Sequence, residues 1–127
     1  MAAQTEARLG YVPHFEVTTL DGHRVRYREI WQHRALVLVV VRANDREAAA
    51  SYALLLKARQ GEFEDAEATV VVTADAVPGL SPRKVVIADR WGEILNSASP
   101  PAGDFPGVDE LLSWVRFAQM QCPECPP

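Results

Sequence analysis

Ala35-Leu36-Val37-Leu38-Val39-Val40-Val41 is the longest uninterrupted apolar run in the chain, and four of its seven residues are β-branched. Apolar side chains at consecutive positions, rather than alternate ones, mark a strand buried on both faces. This run is therefore expected to be the central strand of a sheet with layers above and below it. Directly after it, Asn44 with Glu47 three residues on has the form of a helix N-cap and its capping-box partner. The helix is expected to reach about Gln60 and to stop at Gly61. Ala48, Tyr52, Leu55, Leu56 and Ala58 would form its apolar face. Residues 69–73 (Thr-Val-Val-Val-Thr) are a second β-branched run. Strand, helix and strand in succession predict a right-handed parallel crossover.

Working outward, residues 15–19 and 24–27 flank Asp21-Gly22, the strongest short hairpin signal. Arg24, Arg26 and Arg28 alternate with Val25 and Tyr27, which puts three guanidinium groups on one face or on a solvent edge. Trp31 is expected to pack inward from a short helical turn after Tyr27. Residues 84–88 and 93–95 surround Asp89-Arg90-Trp91-Gly92, whose glycine suits a positive φ, so an antiparallel pair is expected there. A proline-rich connection over 99–107 leads to a last helix with Val108, Leu111, Leu112, Val115 and Ala118 as its apolar stripe.

The 127 residues, 48% hydrophobic and 24% charged, suit one compact α/β domain. The domain is expected over residues 1–121, followed by a tail over 122–127. A net charge of −4 provides no global positive field for a phosphate backbone, so nucleic acid is not an expected partner. The seven-residue apolar run falls far short of the ~20 residues that cross a bilayer as a helix. The first residues carry neither a basic flank nor an apolar stretch, and a cytoplasmic location is expected.

The order of these elements, together with Pro13-His14-Phe15 before the Asp-Gly hairpin, resembles the thioredoxin-like superfamily. The likeness is to redoxin domains of the peroxiredoxin branch, the alkyl hydroperoxide reductase and thiol-specific antioxidant proteins. Ser81-Pro82, then residues 84–89 and Gly92-Glu93-Ile94, look like that family's proline, strand, Asp-x-x-Gly turn and strand. The resemblance spans residues 10–120 and implies a central mixed β-sheet flanked by helices on both faces. It also implies a cis bond before Pro82; the other reading is a trans proline that merely opens a strand.

Active members of the resembled family carry a cysteine at the start of the helix after the central strand, where amide groups and the helix dipole stabilise a thiolate. Here that window is Arg42-Ala43-Asn44-Asp45-Arg46-Glu47-Ala48, without sulfur. Neither thioredoxin-type exchange nor peroxide reduction can run there. Asp45 and Glu47 are expected to cap the helix rather than to catalyse. Asn44, Asp45 and Pro82 remain candidates for binding a protein or small ligand.

The only cysteines are Cys122 and Cys125, in Cys122-Pro123-Glu124-Cys125. Such a pair can close a small disulfide and exchange it with a thiol or disulfide protein partner, or supply half of a tetrahedral zinc site. It can also be an inert tail. His14, His23 and His33 lie far away in sequence, so zinc would need two tails paired in a homodimer. Exchange is the first reading, with Cys122 and Cys125 as catalytic residues and with no metal or cofactor expected. In the resembled fold the last helix runs away from the proline loop, which places both sulfurs at the pole opposite Pro82 and Asn44.

Overall fold

The computed structural model describes residues 10–100 and 104–120. β1 (Glu16–Thr18) and β2 (Arg24–Arg26) form the expected antiparallel hairpin, Val17 opposite Val25. Arg24 and Arg26 both donate to Glu16 at 3.2 Å and hold its carboxyl below the usual range. β2 ends at Arg26, so Arg28 sits instead in a single-turn 3-10 helix, Tyr27–Glu29.

A second, mixed sheet contains β3 (Ala35–Val40), β4 (Ala68–Thr73), β5 (Lys84–Ala88) and β6 (Ile94–Ala98), in the order β4-β3-β5-β6. β3 runs parallel to β4 and antiparallel to β5. All six of its residues are buried, as an unbroken apolar run requires of a central strand. β5 and β6 pair antiparallel as expected.

Between β3 and β4 lie α1 (Arg46–Ala58) and α2 (Gln60–Asp65). The expected single helix ending at Gly61 is thus two helices, and Gly61 lies inside the second. The break falls at Arg59, whose backbone leaves helical geometry and whose guanidinium binds Glu62 and, at 2.8 Å, Asp109 of α3 (Val108–Met120). Phe63 of α2 is buried in the core. The buried face of α1 is Ala49, Tyr52 and Leu56, while Leu55 is 58% exposed, because the face is set one residue on from Ala48.

Val37 and Val39 of β3 share one core with Tyr52, Leu56, Phe63, Leu111, Leu112 and Val115. Leu36, Leu38 and Val40 share the other with Phe15, Val17, Tyr27, Ile30 and Val77. The three longer helices therefore cover one face, and the hairpin with its 3-10 turn covers the other. The expectation of helices on both faces holds only through that single turn. Residues 74–83, between β4 and β5, contain Pro78, Gly79 and Pro82 in ten positions, which is too interrupted for a helix.

Tyr27 anchors the hairpin side: it stacks on Phe15 at 5.3 Å between ring centres, and burial pushes its phenol up to about 12. Its hydroxyl has no hydrogen-bond partner among the described residues. Trp31 is half-buried beside it and donates Nε1 to the Trp91 carbonyl at 3.1 Å. Gly92 makes the β5–β6 turn at φ +84°, and a Cβ there would stand 3.0 Å from the Tyr27 hydroxyl. Gly92→Ala is expected to cost about 1–2 kcal/mol from the backbone alone, and the crowded hydroxyl adds to it. Thermal unfolding measures this; an unchanged Tm would mean the turn relaxes freely.

Candidate functional site

The antiparallel register pairs Val40 with Lys84, so the chain leaving β3 must pass beside the chain entering β5. That brings the segment after the central strand against the loop of Pro82. Leaving β3, residues Ala43–Asp45 make one 3-10 turn, closed by Asp45 N–H donating to the Arg42 carbonyl at 2.9 Å, and α1 follows. Asn44 is inside this turn and exposed, and neither helical segment has a side-chain cap bond. The expected capping box is absent because the extra turn moves the start of α1 to Arg46.

Asp45 does not cap either. It is 7% exposed, and its Oδ2 accepts from Arg83 Nε at 2.8 Å. The Arg83 guanidinium, helped by Arg42, holds the carboxyl below the usual carboxylate range. Arg83 adopts φ +60°, a conformation an L-residue takes only at a cost. No peptide bond among the described residues is cis, so the bond before Pro82 is trans, contrary to the expectation. Here the left-handed Arg83 supplies the reversal into β5, and Pro82 stands exposed before it.

Pro82, Asn44 and Asp45 thus converge on one end of the sheet, two exposed residues beside an ion pair of which Asp45 is buried and Arg83 half-buried. A carboxylate kept ionised by a bound guanidinium is a weak base and carries no proton to donate at neutral pH. The arrangement presents a fixed surface rather than a nucleophile. Arg83 was not foreseen; the sign of it in the sequence is that two apolar runs, 35–41 and 85–88, pair antiparallel only if the end of the first meets the start of the second.

A depressed carboxyl stabilises the fold above its unfolded pKa and loses that contribution as pH falls through the folded one. Asp45 behaves this way, as do Glu16 beside Arg24 and Arg26, and Glu62 beside Arg59. Stability should therefore fall on acidification through the lower carboxylate range. Asp45→Asn should be less stable near neutrality and lose less on acidification. Urea unfolding of both proteins at about pH 7 and about pH 3 measures it; parallel losses would exclude a role for the Asp45–Arg83 pair.

Cys122 and Cys125 lie outside the described residues. α3, which leads to them, is anchored at its far end: Gln119 Nε2 donates to the Asp65 carbonyl at 3.0 Å, and Arg116 pairs with Glu62 at 3.3 Å. Asp65 precedes β4, at the end of the sheet opposite Asp45, and a six-residue strand separates those ends by about 20 Å. Among the described residues no three His, Cys, Asp or Glu side chains group as metal ligands. Nor is any described helix long and apolar enough to cross a membrane.

No protein-family model matches the sequence, and no curated protein does. Solved structures do. The reduced 2-Cys peroxiredoxin of Plasmodium vivax matches with a TM-score of 0.65 at 13% identity, over 86% of this chain and 80% of that one. Mycobacterium tuberculosis AhpC matches at 0.59 and 16% identity, over 91% and 94%. Peroxidoxin BcpB from the same organism matches at 0.58 and 14%, over 89% and 96%. The chain has the thioredoxin-like α/β fold of these peroxiredoxins, a mixed sheet flanked by helices.

Proposed function

We propose that this thioredoxin-fold chain acts in thiol–disulfide exchange or redox sensing through Cys122 and Cys125, and not through the helix start used by the fold's thiol enzymes. One observation carries the reading: the helix-start window has no sulfur and its Asp45 is tied to Arg83, which leaves the Cys122-Pro123-Glu124-Cys125 pair as the chain's only thiols. In the exchange, one tail thiolate attacks a disulfide of a protein partner, forms a mixed disulfide and expels a partner thiolate. The second tail thiolate attacks the tail sulfur of that bond, closes the Cys122–Cys125 disulfide and expels the other partner thiolate. Two electrons pass to the partner, and protons from solvent complete its two thiols.

The distance argument supports a separate, exposed site. Cys122 follows Met120 by two residues, a reach of about 7 Å, against a sheet about 20 Å long. The experiment is titration of the reduced protein with mild oxidant. A reversible intramolecular disulfide with a potential in the cytosolic range is expected, and a pair that stays reduced throughout overturns the proposal.

A second reading is favoured by the half-buried Asp45–Arg83 pair: a non-catalytic module that binds a protein or ligand across Asn44 and Pro82, its tail inert or holding zinc. Partner capture that survives loss of both cysteines but not substitution of Pro82 selects it.

A further inference from the structure

α1 buries Ala49, Tyr52 and Leu56 and turns its opposite side to solvent. On that outer side Glu47, Ala50, Leu54 and Lys57 are all exposed, Leu54 to 69%. Their spacing of three, four and three residues keeps them in one line along the helix, the line by which two helices pack in a coiled coil. A helix that meets only water carries polar residues along such a line. Here a leucine and an alanine hold its middle, and charges stand only at its ends.

We propose that α1 is the interface of a symmetric dimer, in which it packs antiparallel on α1 of a second copy of this chain. The first support is charge. Glu47 and Lys57 have no ion-pair partner among the described residues, whereas Arg59 and Glu62, just beyond, hold each other. A two-fold axis at the level of Tyr52 sets Glu47 of each copy against Lys57 of the other. A parallel pair would set like charges together. The helix dipole favours an acid at the start of a helix and a base at its end, and that polarity is what makes the antiparallel pairing complementary to itself.

The second support is shape. The same axis sets Leu54 of each copy over Ala50 of the other, because both pairings have their midpoint at Tyr52. One axis therefore satisfies the charges and the apolar contact together. With Ala50 at the facing position and Ser51 and Ala58 beside the line, the two backbones can approach to the ~8–10 Å of packed helices. Ala50 also stands in the wall of an open groove of about 620 Å³, with Leu20, Ala53 and Val70. Leu54 of the second copy thus meets apolar surface beyond the helix it lies on.

α1 has 13 residues and is ~20 Å long, so the contact is small and belongs to the transient class. The test is sedimentation equilibrium of the full chain, with both thiols kept reduced and a chelator present, so that neither a disulfide nor zinc shared between tails contributes. A dimer with a dissociation constant between about 10 µM and about 1 mM is expected. Glu47→Lys and Lys57→Glu should each weaken it roughly tenfold, since each turns two attractive contacts into repulsive ones. An equimolar mixture of the two variants should associate at least as well as the unaltered chain, because every contact of position 47 with position 57 between them is again one of opposite charges. Recovery in the mixture also shows that each variant is folded. A chain that stays monomeric up to about 1 mM overturns the proposal. So does a dimer indifferent to both charge reversals, or one that the mixture fails to restore.

Discussion

Leu38→Ala is expected to destabilise the protein by about 2–5 kcal/mol. Leu38 is fully buried at the middle of β3, between Val71 of β4 and Val86 of β5, and is part of the core beneath the hairpin. Both neighbouring strands hold their backbones through β3, so the site cannot collapse around the lost volume. Domains of this kind have total stabilities of about 5–15 kcal/mol, so the variant keeps only part of its margin. Urea unfolding at equal m-values gives the number. Leu55→Ala on the exposed side of α1 is the comparison and should change little; equal losses for the two would mean that β3 is not the centre of the core.

Cys122→Ser is expected to abolish any disulfide reductase activity while leaving thermal unfolding unchanged. With Cys125 the only other thiol in the chain, a mixed disulfide can form on it but no second sulfur can resolve it, so turnover stops. Asp45→Ala should do the reverse, lowering stability and sparing activity, because its carboxylate binds Arg83 and touches no sulfur among the described residues. Reductase activity retained in Cys122→Ser, measured on a small disulfide with the protein as catalyst, would sink the exchange mechanism.

The sheet was legible because its signals are local. An unbroken apolar run identified β3, Asp21-Gly22 the hairpin, Gly92 the β5–β6 turn, and the spacing of Leu111, Leu112 and Val115 the face of α3. What escaped depends on contacts between distant residues. The helix after β3 breaks at Arg59, whose guanidinium binds Glu62 and Asp109 together, and Asp109 is 50 residues away. Asp45 looked like a cap because helix starts favour carboxylates, but burial beside Arg83 decides its partner. The trans bond at Pro82 escaped for a similar reason: the backbone reversal sits one residue later, at Arg83, a residue type that gives no warning of a positive φ. At the candidate site, the convergence of Asn44, Asp45 and Pro82 follows from the resemblance, whereas the ion pair that fixes it does not.

The position of β3 bears on synthesis. Both of its neighbours come later in the chain, β4 beginning at Ala68 and β5 at Lys84, so the most apolar strand leaves the ribosome with no partner on either edge. At roughly 5–20 residues per second, the wait for β5 lasts several seconds. During that time a flat, uncharged strand is open to pairing with other nascent chains. Yield in cells should therefore respond to holding chaperones and to slower growth temperature more than the finished domain's stability would suggest.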